Sequence, residues 1–264
     1  MIDEHDLMEL SGKFRDIRQL ERDYLLILFL HETYYVFTND LIFKGDTALK
    51  YFFNLNRFSE DLDFSFTGQK GTSGRKYLND KMDVALSHFN VQYPIVERER
   101  RGNKIGNSTI GINYEIRIKG PLNQRMGQLQ NIKIDISLRD DVIRKPELKY
   151  LLPVYPDIAT FSLPVMNLEE ILAEKIAAMI ERDKMRDIYD IYYLLTIKNV
   201  KYDEELVKEK MLRRGETFKK TDLSKKLEEV SNKMKWKSEL SYIVNPLPDN
   251  LEVRSKLEEA LDLL

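Results

Sequence analysis

Two aspartates, Asp61 and Asp63, stand one residue apart in RFSEDLDFSF, residues 57–66. The segment alternates as a β-strand does, so Asp61, Asp63 and Ser65 share one face while Leu62, Phe64 and Phe66 take the other. The apolar face supplies core, and the opposite face carries two carboxylates within one pleat repeat. Left alone, such like charges repel and raise each other's pKa; a divalent cation between them removes the conflict. Mg²⁺ takes few protein carboxylates, keeps several waters and accepts phosphate oxygens, so it is the natural occupant, with Mn²⁺ as an alternative. A solvent-facing acidic pair on a hairpin would show the same spacing and need no metal.

Two neighbouring segments add chemistry. In FKGDTAL, residues 43–49, a strand, a glycine turn and a helix follow one another, placing Lys44, Gly45, Asp46 and Thr47 at a helix start. Free backbone N–H groups and the positive helix end meet there, which suits a triphosphate, although the GxxxxGK[ST] spacing of a P-loop is absent. The same residues also read as an ordinary helix start capped by Asp46. In NIKIDIS, Lys133, Asp135 and Ser137 share a face opposite Ile132, Ile134 and Ile136. If that strand lies beside the acidic one, Asp135 becomes a third carboxylate, and three can hold two metals, one activating a hydroxyl and one on the phosphates. Otherwise it is a half-buried strand with a polar face.

A third group lies on helical sequence. Lys175 and Arg182 are seven residues apart, about two turns, so one helix face can present both cations to phosphate. Asp187 could orient one of them or act as a base. A solvated helix with intrahelical ion pairs has the same charge pattern.

The elements that must position these groups form an α+β chain. Residues 16–37 read as a largely buried helix, Leu41–Phe43 as a strand, Thr47–Phe53 as a helix, and 67–76 as a mobile loop before a helix ending near His88. VQYPIVERER, STIGINYEIRIKG and LQNIKIDISLRD have period two, separated by GNKIGN and PLNQRMG, and suggest an antiparallel extension of the same sheet. Lys145–Pro164 reads as an irregular connector. Asn167 and Glu170 make a capping box for a helix from Leu168, MRDIYDIYYLLTI makes a second, and residues 201–264 are charged and helical. The expected domains are 1–164, a core with N-terminal helices, and 165–264, a helical domain completing the active-site cleft.

Composition narrows the classes. The net charge of −2 gives no global attraction to nucleic acid or anionic membrane. No run approaches 18 apolar residues and the acidic start MIDEHDLMEL is unlike a signal peptide, so a cytoplasmic protein without membrane partners is expected. With no cysteine, three scattered histidines and neither HExxH nor GxSxG, zinc and serine-hydrolase chemistry are poor fits. Between Lys208 and Lys237, eleven Lys/Arg stand against five Asp/Glu with Phe218 and Trp236 interleaved. That is either an RNA platform or a solvated face over core aromatics.

Taken in order, the glycine turn, the D-x-D strand and a further strand aspartate resemble the polymerase-beta-like nucleotidyltransferase superfamily. LIFKGDTALKYFFNLNRFSEDLDFSF, KIDIS and EKIAAMIERDKMRDIYDIYYLL resemble more closely the AbiEii/AbiGii toxin family, over about residues 20–198. The resemblance implies a polymerase-beta-like core, a mixed and mainly antiparallel sheet flanked by helices, with a helical C-terminal domain. It also implies an NTP bound with Mg²⁺ and nucleotidyl transfer to RNA, in relatives the 3′ end of tRNA. The setting would be a bacterial toxin–antitoxin or abortive-infection pair, with an antitoxin encoded nearby. On this resemblance Gly45 and Thr47 lie in the phosphate turn, Asp61 and Asp63 hold metal, and Arg57 and Ser59 belong to R-x-S-x-D-L-D. Lys175 matches the nucleotide-contacting lysine, and Arg182, Arg186, Asp187 and Asp190 match R-x-x-x-R-D-x-x-D. Asp46 departs from the glycine or serine usual there, and its charge competes with an incoming phosphate. Transfer to a small molecule, or a nucleotide-binding regulator with little turnover, are the other readings.

Overall fold

The computed structural model describes residues 1–105, 108–139 and 142–263. The chain divides into two compact units. Met1–Phe52, Glu60–Asp140 and Pro146–Val165 form the first, and Phe53–Ser59, Asp141–Lys145 and Met166–Leu264 the second.

In the first unit, α1 (Glu4–Glu9) and α2 (Ile17–Val36) precede β1 (Leu41–Lys44), α3 (Gly45–Phe53), β2 (Asp61–Phe66) and α4 (Gly71–Gln92). There follow β3 (Ile95–Ile105), β4 (Ser108–Ile118), α5 (Asn123–Met126), β5 (Gln130–Ser137), β6 (Glu147–Leu151) and β7 (Phe161–Val165). The strands make one seven-stranded sheet in the order β3-β4-β5-β2-β1-β7-β6. Pairing is antiparallel except at β2–β5 and β1–β7.

Helix α2 starts where Asp16 accepts hydrogen bonds from the N–H groups of Arg18 and Gln19, both at 2.9 Å, and its apolar residues from Leu20 to Leu30 are buried. Each fully buried Leu or Phe contributes roughly 1.5–3 kcal/mol. Leu62, Phe64, Ile132, Ile134 and Ile136 are buried, and the rings of Phe64 and Phe66 meet Tyr34 of α2 and Tyr77 of α4. The period-two pattern therefore sorts core from polar face along β5 and over Asp61–Phe64 of β2, whereas Ser65, expected on the polar face, is buried.

Several boundaries differ from the sequence reading. Helix α3 begins at Gly45, so Asp46 sits inside its first turn instead of capping it. The expected loop at 67–76 is shorter: α4 already runs from Gly71 and continues to Gln92, past His88. Strand β3 continues through Gly102–Ile105, where a GNKIGN loop was expected, because pairing with β4 outweighs the weak strand preference of Gly and Asn. Gly106 and Asn107 of that motif lie outside the described residues. PLNQRMG contains α5, which ends at left-handed Gly127. The segment read as a connector contains β6 and β7, antiparallel partners with Leu148 opposite Pro164. A proline is tolerated there because an antiparallel ladder draws on the donors of a given edge only at alternate residues.

The second unit holds α6 (Leu168–Glu181), α7 (Met185–Tyr192), α8 (Glu204–Arg213), α9 (Lys220–Glu228), α10 (Lys233–Leu240) and α11 (Asn250–Ala260). A π-helical turn, Tyr193–Ile197, continues α7. Asn167 caps α6 by accepting from Glu169 N at 3.1 Å. The capping box is not formed, because the buried Glu170 carboxylate instead accepts from Ile143 N at 2.7 Å and Arg144 N at 2.8 Å and pairs with Lys210 at 2.6 Å. Trp236 is buried with its Nε1 donating to Pro248 O at 3.0 Å, so it is core and no platform for stacked bases. Among the described residues no helix is long and apolar enough to cross a membrane.

Candidate active site

In the first unit, β1 delivers the chain into α3 through Gly45, which adopts φ +75°, a conformation that side chains with a Cβ rarely take. A Cβ there would stand 2.9 Å from both Cβ and Cγ of Asp63, so glycine is needed for space as well as for backbone geometry. Lys44 lies opposite Asp63 in the β1–β2 register. Thr47, buried in α3, donates its hydroxyl to the carbonyl oxygen of Asp61 at 2.5 Å and fixes the strand end to the helix start. The turn is thus tied to both aspartates.

On the other side of β2, parallel pairing places Asp135 directly opposite Asp63 and Lys133 opposite Asp61. Paired residues project to the same face, so Asp61, Asp63 and Asp135 share one surface. Desolvation by the surrounding protein pushes the Asp135 carboxyl above its ordinary value although the residue keeps solvent access; a hydrogen bond from Asn113 and the charge of Lys44 oppose this, and the charge of Asp61 adds to it. Among the described residues no three His, Cys, Asp or Glu side chains are already gathered as a metal cage. The donors nevertheless suit a hard divalent cation. All three are carboxylate oxygens on one face, two of them couple electrostatically, and Gly45, having no Cβ, lets the Asp63 carboxylate lie against the turn. Such a set fits an ion that fills its remaining positions with water and phosphate.

In the second unit the cations meet buried carboxylates. Arg57 Nε and Nη2 donate to the two oxygens of Asp190, both at 2.6 Å. Lys175 Nζ reaches Asp190 Oδ2 at 2.7 Å and Asp187 Oδ1 at 3.5 Å. Arg182 is bidentate on Asp187 at 2.7 and 2.8 Å. Helix α6 ends at Glu181 and Arg182 is extended, so the two cations do not share a helix face; they converge on Asp187 from different backbone conformations. Burial alone would raise both aspartates. At Asp187 the hydrogen bonds of Arg182 and the charge of Lys175 outweigh it, and at Asp190 the charges of Arg57 and Lys175 do so, holding both below the ordinary carboxylate range. A carboxylate so held is a weak proton acceptor, and orienting the cations suits Asp187 better than acting as a base. Arg186 is half-buried with its Nε lacking a hydrogen-bond partner, and Ser59 is buried.

The family model for "Nucleotidyl transferase AbiEii toxin, Type IV TA system" matches residues 29–263. The chain belongs to this family. Its fold is shared with JHP933 from Helicobacter pylori, 21% identical, with 93% of this chain and 90% of that one covered and a TM-score of 0.58. It is shared too with MenT4, a nucleotidyltransferase toxin from Mycobacterium tuberculosis H37Rv, 15% identical, with 99% and 89% covered and a TM-score of 0.59. No curated protein matches the chain.

As an AbiEii-family nucleotidyltransferase, the chain carries the family match well past residue 198, so the helices beyond α7 belong to it as well. Two supporting residues escape sequence reasoning. Asn113 reaches Asp135 only because β4 pairs with β5. Tyr193 donates to the carbonyls of Phe53 at 2.9 Å and Asn54 at 2.6 Å, and so holds the segment carrying Arg57 within the second unit. Phe58 N, bonded to Ile243 O at 3.1 Å, fastens the same segment. Neither Asn113 nor Tyr193 has a local signal, since each acts on a partner far away in sequence.

Proposed function

We propose that this family member is a Mg²⁺-dependent toxin that transfers a nucleotidyl group from an NTP to RNA, at the 3′ end of tRNA, in the bacterial cytoplasm. Its activity would be countered by an antitoxin encoded nearby, in a toxin–antitoxin or abortive-infection pair. The observation that carries this reading is the register of β2 between β1 and β5, with Lys44 and Asp135 on either side of Asp63.

In the reaction, the acceptor hydroxyl oxygen forms a bond to the α-phosphorus as the α–β bridging P–O bond breaks. Pyrophosphate leaves and the hydroxyl proton passes to solvent. Asp61 and Asp63, with Asp135, would hold Mg²⁺ or Mn²⁺, which when bound supplies charge neutralisation at the phosphates and lowers the pKa of the hydroxyl. Gly45 and Thr47 present backbone N–H groups at the start of α3 to the phosphates. By the family resemblance Lys175, Arg182 and Arg186 are nucleotide-binding cations, with Asp187 and Asp190 orienting them.

The test incubates the protein with each α-labelled NTP, Mg²⁺ and total tRNA. Label should enter RNA with wild type and not with Asp61→Asn, and pyrophosphate release should follow the same pattern. No label with any NTP would overturn the reading. Pyrophosphate release that needs a small-molecule acceptor instead of RNA would move it to the small-molecule class.

A further inference from the structure

We propose that Lys133 binds the acceptor's phosphate next to the attacking hydroxyl, and so selects an anionic acceptor. This rests on the nucleotidyl-transfer reading above and deepens it. Strand β2 has two neighbours, and they differ in kind. On the β1 side stand Lys44 and the Gly45 turn, the elements suited to a triphosphate. On the β5 side stand Asp135 and Lys133, with Lys133 opposite Asp61. In an in-line displacement the attacking and leaving oxygens lie on opposite sides of the phosphorus. With the leaving phosphates at β1, the acceptor comes from β5.

The polar face continues from β5 across β4 and β3, where the arginines Arg101 and Arg117 are ion-paired. Register places Glu115 opposite Lys133, Arg117 opposite Asn131 and Arg101 opposite Asn113. Arg101 is bidentate on Glu99 at 2.8 and 2.7 Å, and Arg117 pairs with Glu97 at 2.8 Å. The Glu115 carboxylate accepts from Asn131 Nδ2 at 2.7 Å. Lys133 is exposed and, among the described residues, has neither an ion pair nor a hydrogen bond from its side chain, although Asp61 and Glu115 flank it. A long, strongly hydrated ammonium on a flexible stem suits a phosphate that arrives with the substrate. The terminal nucleotide of an RNA carries such a phosphate on its own ribose, whereas a neutral or cationic small acceptor carries none.

The experiment compares wild type, Lys133→Ala and Lys133→Arg with total tRNA and the labelled NTP that wild type uses. Lys133→Ala should raise KM for tRNA about tenfold, with kcat and KM for the NTP little changed, and Lys133→Arg should keep most of the affinity. Filter binding of labelled tRNA without NTP should show the salt dependence reduced by about one ion for Lys133→Ala. Melting curves should be unchanged, since the side chain is exposed. An unchanged KM for tRNA, or a rise in KM for the NTP instead, would overturn the assignment while leaving the nucleotidyl-transfer reading intact. If wild type puts no label into tRNA, the functional reading fails first and this assignment falls with it.

Discussion

Arg57 and Asp190, 133 residues apart, form a bidentate ion pair with both oxygens engaged at 2.6 Å and side chains only 1% and 0% exposed. Arg57 belongs to the R-x-S-x-D-L-D segment, and its guanidinium is engaged by Asp190. Removing Arg57 leaves the buried Asp190 with Lys175 alone as counter-ion and two hydrogen bonds lost, so Arg57→Ala should destabilise the protein by about 3 kcal/mol. Arg57→Lys should recover little, because an ammonium cannot make the paired contacts. Urea titrations of the two variants measure this. A stable, fully folded Arg57→Ala protein would contradict the structural role.

Stability should fall in acid for an identifiable reason. Asp187 and Asp190 have folded-state pKa values below the ordinary range. A carboxylate depressed in this way contributes stability that is present above its unfolded value, about 3.9, and is lost as pH falls from there through the folded value. The urea midpoint should therefore be nearly flat from about pH 7 to about pH 5 as far as these groups are concerned, then drop below about pH 4. Asp190→Asn, less stable throughout, should show a shallower acid decline. Equal acid slopes in the two proteins would show that Asp190 is not a source of the decline.

Gly45 is constrained twice, by φ +75° and by the nearness of Asp63. Gly45→Ala should cost about 1–2 kcal/mol through the backbone and in addition push the Asp63 carboxylate aside. Displacing a metal carboxylate by an ångström can reduce turnover about a hundredfold. Melting and NTP-transfer assays on one preparation separate the two effects. Full activity at reduced stability would mean that the Asp63 position tolerates the shift.

Asp46 lies in the first turn of α3, where its charge favours the helix by about 0.3–1 kcal/mol and opposes an arriving phosphate. Asp46→Ser should lower KM for the NTP several-fold and lower the melting temperature slightly. Should KM rise instead, the carboxylate would be contributing to metal binding.

The polar face of β2 and β5 and the long buried helix α2 were legible in the sequence because periodicity reports which side of an element is wet. So was the third aspartate, conditional on strand adjacency. The β6–β7 pair was not, because Pro164 is a loop signal locally and a tolerated strand residue only once its partner is known. The capping box at Asn167 was misread for a similar reason: Glu170 has the right spacing for the backbone of its own helix, but Ile143, Arg144 and Lys210 offer it a buried site with more partners.

The sequence by itself determined which residues share a face, since alternation and helical period follow from backbone geometry alone, and the order of its motifs carried the resemblance to a nucleotidyltransferase family. Only the tertiary structure decided that β5 lies parallel to β2 with Asp135 opposite Asp63, and that Arg57, Lys175 and Arg182 close onto Asp187 and Asp190. Strand neighbours and buried ion pairs are chosen by which long-range arrangement hides apolar surface while leaving no buried charge alone. That balance is struck between residues up to 133 positions apart, and no local window of sequence contains it.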